Sequence, residues 1–144
     1  MASDAEASQQ FAKELFARFP EWRQFASMGS GGLVVNVTSP TGDPHRTLRF
    51  WVEEGEPAVG FGGWHTHEGL WESRDHFLAL VEAVVSDRKL FVARGHDAWW
   101  WSCVDQPADN EVADALTDSS APSEGRVLSW SGAKDRVVRL SDLS

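Results

Sequence analysis

Hydrophobic and polar positions repeat along the chain at two spacings, and near the N-terminus the spacing is that of a helix. Large apolar residues recur there every three or four positions, as on one face of an α-helix. They are Phe11, Leu15, Phe16 and Phe19. Pro20 ends this helix and opens a second, shorter one, because proline is tolerated in the first turn of a helix. We expect Trp22, Phe25 and Met28 on the apolar side of the second helix.

Three short runs with strand character follow, and brief polar turns separate them. They occupy residues 33–37, 46–52 and 58–62. In the second run Leu48, Phe50 and Val52 share one face, because successive side chains of a strand alternate. Arg49 and Trp51 point to the other face. Connections this short favour an antiparallel meander.

The clearest helix spans residues 74–86, where five apolar residues form a single stripe. They are Phe77, Leu80, Val81, Val84 and Val85. Ser73 precedes them at the N-cap position, where a side-chain oxygen accepts a backbone hydrogen bond. This pattern predicts an amphipathic helix with one face in the core.

Two hairpins are predicted after this helix, with an acidic segment between them. The first pairs residues 90–94 with 98–104, and the second pairs residues 126–130 with 136–140. Residues 105–124 contain six acidic residues and no basic residue, and we expect a flexible loop there with one helical turn around residues 111–116.

Together these elements predict an α+β fold in a single domain that spans residues 1–144. The expected order is an N-terminal helix, an antiparallel meander, one amphipathic helix and then further antiparallel strands in the same sheet. A chain of 144 residues fits one domain, since domains commonly have about 100–150 residues.

Charge and cysteine content narrow the class of protein. The formal net charge is −9, which argues against nucleic-acid binding and against docking on a membrane, since both need basic surfaces. No apolar run approaches the roughly 20 residues that span a bilayer. The N-terminus has no signal-peptide pattern, and Cys103 is the only cysteine. We therefore expect a cytoplasmic protein without disulfides.

One stretch of the chain carries residues suited to catalysis or metal binding. If the third strand continues to residue 67, His65 and His67 point to the same side and can share one metal ion. Asp75 and His76 are candidate third ligands, and Glu68 or Glu72 is a candidate general base. A structural role is also open, in which the histidines hydrogen-bond backbone groups at the strand end.

The segment Gly63-Trp64-His65-Thr66-His67, followed by Ser73 and Asp75, resembles the motif of the JAMM/MPN metalloproteases. These enzymes release ubiquitin-like tags or related conjugates. The resemblance implies a zinc-dependent hydrolase with His65, His67 and Asp75 as the zinc ligands.

The same resemblance requires an acid-base glutamate from an earlier strand. The candidates are Glu53, Glu54 and Glu56, which lie in a predicted turn. The chain departs from the motif at Glu68, which stands where the motif has proline. It also separates the serine from the aspartate by one residue instead of two.

A second resemblance covers more of the chain. The order of elements, Gly60-Phe61, Trp64-His65-Thr66-His67 and the closing Ser129-Trp130-Ser131-Gly132 resemble small uncharacterised bacterial proteins. Some of these act as immunity proteins beside polymorphic toxins. The resemblance implies a protein that binds one partner and catalyses no reaction. An acidic surface would steer a basic partner, and the eight tryptophans are typical interface anchors.

The lack of a complete catalytic set favours a non-catalytic binding module with a protein partner and no cofactor. The residues expected at its binding surface are Trp64, His65, His67, Trp71, Asp75 and Trp100. A zinc-dependent hydrolase that uses His65 and His67 is the first alternative. A domain that binds a small molecule in an aromatic-lined cleft is the second.

Overall fold

A computed structural model describes residues 4–29, 32–94, 101–112 and 124–139. The α-helices are α1 (Asp4–Arg18) and α2 (Arg74–Val85), and 3-10 helices span Pro20–Phe25, Pro44–Arg46 and Glu68–Leu70. The strands are β1 (Ala26–Gly29), β2 (Gly32–Thr38), β3 (Thr47–Glu53), β4 (Glu56–Phe61), β5 (Trp64–His67), β6 (Leu90–Arg94), β7 (Trp101–Val104), β8 (Glu124–Leu128) and β9 (Arg136–Arg139). The chain divides into two compact units.

The first unit comprises Met1–Phe61 and His65–Ala79 and contains a five-stranded antiparallel sheet. The strands have the order β1-β2-β3-β4-β5, and α1 packs against β2, β3 and β4. The alternation predicted for β3 is confirmed. Its apolar positions 48, 50 and 52 are buried, whereas Arg49 is exposed and Trp51 is half-buried. One face of this sheet therefore lies on the core and the other faces outward.

An aromatic cluster holds the helices of this unit on the sheet. The ring centre of Phe11 lies 6.0 Å from those of both Phe50 and Phe77, and all three side chains are fully buried. Trp22 stacks on Phe19 with ring centres 4.0 Å apart. Complete burial of one such side chain stabilises the fold by about 1.5–3 kcal/mol. The predicted apolar stripe of the first helix is thus the surface that docks α1.

The two edge strands of this sheet are not predicted from the sequence. Met28, expected on a second helix, lies in β1 and is 68% exposed, because the helix that Pro20 opens is a short 3-10 helix ending at Phe25. The third predicted strand ends at Phe61 and does not continue to residue 67. The chain turns at Gly62, where φ is 58°, and returns as the separate strand β5.

The second unit comprises Gly62–Trp64 and Leu80–Ser144 and contains its own antiparallel sheet, with strand order β7-β6-β8-β9. The strands after α2 therefore form a separate sheet and do not extend the first one. The pairing of β6 with β7 and of β8 with β9 agrees with the two predicted hairpins. The α+β class is confirmed, with helices accompanying antiparallel sheets.

Part of the acidic segment contributes to this second unit. A helical turn at residues 109–112 places Val112, which is 1% exposed, in the core beside Leu90 and Val127. Arg136 donates a hydrogen bond of 2.9 Å to the carboxylate of Asp109. Residues 113–123 lie outside the described residues. Within the segment expected as a loop, residues 109–112 thus form a helical turn and Glu124 begins β8.

The helices of the structure are short. The longer one, α1, has 15 residues and α2 has 12. In the part of the chain that the structure describes, no helix has the length and apolar character that crossing a membrane requires.

Candidate functional site

Strand β5 places His65 and His67 side by side on the outward face of the first sheet. Their ring centres lie 5.7 Å apart with the rings nearly perpendicular. His65 is exposed and His67 is half-buried. Both rings approach Trp51 of β3, with ring centres 6.4 and 6.3 Å away. The same-side placement expected from strand alternation is therefore observed, although β5 is a separate strand.

Small residues on β4 allow Trp51 to reach across the sheet to these histidines. Ala58 is the direct partner of Trp51 in the β3–β4 register, and the next outward residue of β4 is Gly60. Both are buried. The indole N–H of Trp51 donates to the carboxylate of Glu53 at 3.4 Å. Sequence reasoning did not select Trp51, although a tryptophan on the predicted outward face was a usable signal.

The loop that follows β5 is held by a contact that requires glycine. The backbone N–H of Gly69 donates a hydrogen bond to the carboxylate of Glu56. A Cβ atom at position 69 would lie 2.9 Å from Cδ of Glu56, closer than side-chain carbons approach each other. Glu56 itself follows the tight turn formed by Glu54 and Gly55, whose φ angles are 54° and 75°. The sequence predicts that turn, and the pair of positive φ angles is typical of a hairpin turn.

Arg74 holds the same loop from the other side. Its Nε lies 2.7 Å from the carboxylate of Glu68, and its Nη1 pairs with Glu14 of α1. The guanidinium also lies over the ring of Phe11, 5.6 Å from its centre. These contacts connect α1, the loop and the start of α2, so the position of the loop is fixed by the helices.

This braced loop, residues 68–71, presents two large apolar side chains outward, and we refer to it as the docking loop. Leu70 is 76% exposed and Trp71 is 37% exposed. The backbone N–H of Trp71 donates to the carbonyl of Glu68 at 2.8 Å, and its indole N–H donates to Oγ1 of Thr66 at 3.3 Å. Trp71 was among the predicted binding residues, whereas Leu70 was not.

A shallow depression of about 440 Å³ lies between the docking loop and the turn before β4. Its lining residues are Glu53, Glu54, Glu56, His67, Gly69 and Leu70. The three glutamates, which we call the acidic turn, give this surface a negative charge. This depression is therefore not the aromatic-lined cleft that we expected for a small-molecule site.

The structure does not bring Asp75 together with His65 and His67 in a group that could hold a metal ion. Asp75 lies in the first turn of α2, where its carboxylate is 89% exposed and lies 3.6 Å from Arg18. Ser73 caps the helix, as predicted, because its Oγ accepts the backbone N–H of His76 at 3.2 Å. Among residues 4–29, 32–94, 101–112 and 124–139, no three His, Cys, Asp or Glu side chains are grouped so that they could hold a metal ion.

The structure places Trp64 of the predicted site in the second unit, whereas His65, His67 and Trp71 lie in the first. Trp64 is half-buried and packs within the second unit, where its ring centre lies 5.3 Å from that of Phe91. Strand alternation explains this, since Trp64 points to the side opposite His65. Trp100 lies outside the described residues.

Cys103 is half-buried in β7. Burial raises the pKa of its thiol to about 11; the positive charge of Lys89 lowers that pKa and the negative charge of Asp105 raises it. A thiol with so high a pKa is protonated at neutral pH and is a poor nucleophile.

The closing Ser129-Trp130-Ser131-Gly132 segment shapes the turn between β8 and β9. The carboxylate of Asp135 accepts hydrogen bonds from the backbone N–H and the hydroxyl of Ser129, at 2.8 and 3.1 Å. The backbone N–H of Ser131 donates to the carboxylate of Asp87 at 3.1 Å. These contacts give the serines of the segment a structural role.

No family model, no curated protein and no solved structure matches this chain.

Proposed function

We propose that this chain is a non-catalytic binding module that holds a protein partner through the docking loop. The observation that carries the proposal is the exposure of Leu70 and Trp71 on a loop that Glu56 and Arg74 hold in place. Large apolar side chains in water are costly, and clusters of them mark interaction surfaces. A braced loop loses little conformational entropy on binding, because its geometry exists before the partner arrives.

The two exposed side chains have the size needed to anchor an interface. Removing a leucine or tryptophan side chain from water contributes about 1.5–3 kcal/mol. Tryptophan is also among the residues most often found as interface hot spots. We therefore expect the partner to offer an apolar pocket that accepts Trp71 and Leu70.

Charge supports a partner that is basic around that pocket. The acidic turn lies beside the docking loop in the same depression, and the whole chain carries a net charge of −9. Charges of this sign accelerate association with a positively charged protein and repel acidic ones. A toxin held by an immunity-type protein is one partner of this kind, as the second resemblance implies.

The two alternatives have weaker support. A zinc-dependent hydrolase would need a third ligand next to His65 and His67, and Asp75 instead pairs with Arg18. A small-molecule domain would need an enclosed, largely apolar cavity, whereas the depression beside the docking loop is shallow and lined by carboxylates.

Affinity capture with matched variants tests the proposal. Three baits are compared: the wild-type chain, a Leu70→Ser/Trp71→Ser variant and a Val137→Ser control. The control changes an exposed apolar residue on β9, outside the docking loop. We expect one protein to be retained by the wild type and by the control and lost with the double variant. Purified, that protein should bind the double variant at least about 100-fold more weakly than the wild type.

The salt dependence of the binary complex provides a second readout. If a basic rim meets the acidic turn, the association rate should fall as ionic strength rises, while the dissociation rate changes little. A partner that binds the double variant as tightly as the wild type would overturn the proposal. Thermal unfolding of each variant confirms that the fold is intact.

A further inference from the structure

His65 and His67 are neighbouring imidazoles on the outward face of β5, the first exposed and the second half-buried, and we propose that this pair is half of a zinc site that a second copy of the chain completes. The site would be structural and would join two chains through four histidines. It differs from the hydrolase alternative because it uses neither Asp75 nor a catalytic glutamate. It rests on the geometry of the pair and does not depend on the exposure of Leu70 and Trp71.

The separation of the two rings suits chelation of one metal ion. With Zn–N bonds of about 2.0–2.1 Å, two imidazoles on one tetrahedral zinc ion have their ring centres about 5 Å apart. The ring centres of His65 and His67 lie 5.7 Å apart, at an interplanar angle of 88°. The observed separation is therefore close to that of two imidazoles on one zinc ion.

Both rings of the pair lie on one strand and beside the same aromatic side chain. Trp51 flanks each of them, with ring centres 6.4 and 6.3 Å away. The strand thus presents two imidazoles to the same side of the sheet.

The pair is incomplete within one chain. Structural zinc ions take four protein ligands, and in the described part of the chain no third His, Cys, Asp or Glu side chain joins these two in a metal-holding group. A second copy supplies an identical pair by two-fold symmetry, which is the commonest arrangement of homodimers. Among the described strands, β5 lies at one edge of its sheet.

Charge favours a cation at this position. Two copies that each carry a net charge of −9 repel one another, and a divalent cation between them offsets part of that repulsion. His67 also lines the same depression as Glu53, Glu54 and Glu56. Carboxylates near metal-bound histidines commonly accept the second ring N–H and orient the ligand.

Sedimentation velocity on the tag-free chain, treated with EDTA and then titrated with ZnCl2 alone, tests the proposal. We expect zinc to convert the chain to a dimer with about one ion for two chains, and EDTA to reverse the change. The His65→Ala/His67→Ala variant should keep the same sedimentation coefficient with and without zinc. If that variant does not fold, His65→Asn/His67→Asn preserves side-chain size better.

The control is a His45→Ala/His76→Ala variant, because both of these histidines are exposed and lie outside the pair. It should dimerise with zinc as the wild type does. No bound zinc, zinc bound at one ion for each chain without dimerisation, or zinc-driven dimerisation that survives loss of the pair would each overturn the proposal. None of these results alters the expected role of Leu70 and Trp71.

Discussion

Replacing Gly69 by alanine should loosen the docking loop without unfolding the protein. A Cβ atom at position 69 would lie 2.9 Å from Cδ of Glu56. The carboxylate of Glu56 must therefore move away from the backbone N–H of Gly69, from which it accepts a hydrogen bond. Because the side chain of Glu56 is flexible, the substitution should lower the free energy of unfolding by the contribution of the lost hydrogen bond, without distorting the core. A hydrogen bond to a charged group at a partly exposed position is worth about 1–2 kcal/mol.

A double-mutant cycle isolates that contact. We would measure the free energy of unfolding by urea titration for Gly69→Ala, Glu56→Ala and the double variant. Since each single change removes the same hydrogen bond, the coupling energy should be about 1 kcal/mol. Gly29→Ala is the control, because a Cβ there meets nothing closer than 3.9 Å. If the two single changes in unfolding free energy add up to that of the double variant within about 0.3 kcal/mol, the hydrogen bond between Glu56 and Gly69 does not hold the loop.

The remaining predictions concern the buried hydroxyl of Ser8 and the half-buried thiol of Cys103. Ser8→Ala should lower the free energy of unfolding by about 1–3 kcal/mol, because the buried hydroxyl of Ser8 accepts a hydrogen bond of 3.2 Å from the backbone N–H of Leu33. Urea titration measures this change, and an unchanged midpoint would contradict the prediction. Cys103 should react slowly with a thiol reagent at pH 8 and faster as the pH approaches its pKa of about 11. Because burial raises that pKa above the ordinary value of 9.0, the thiol contributes stability below pH 9 that is lost as the pH rises toward 11.

The periodic elements could be predicted from the sequence because local patterns determine them. The alternation of Leu48, Phe50 and Val52 identifies the buried face of β3, and the cap at Ser73 marks the start of α2. Each of these signals lies within a few residues of the element that it predicts. Their agreement with the structure follows from the periods of strands and helices.

The division into two sheets could not be predicted in this way. Strand order depends on contacts between distant segments, and β6 pairs with β8 across the acidic segment. Edge strands are equally difficult, because β1 has four exposed residues and no alternation to detect. Its Met28 therefore fits a helical pattern as well as a strand.

The candidate site, too, could be predicted from the sequence only where its residues are close together in the chain. His65 and His67 were identified because they are neighbours on one strand. The contacts that hold the docking loop join residues that are distant in sequence. Gly69 and Glu56 are 13 positions apart, and Arg74 and Glu14 are 60 positions apart. No local pattern indicates that Gly69 needs Glu56, or that Leu70 is left exposed.

The most direct test of the account is the affinity of the purified partner for wild-type chain and for Trp71→Ala, measured by isothermal titration calorimetry at one salt concentration. If the docking loop anchors the interface, the dissociation constant should rise by at least about 30-fold, which corresponds to about 2 kcal/mol. An unchanged dissociation constant, with the variant folded, would mean that the partner binds elsewhere and that the docking loop is not the binding surface.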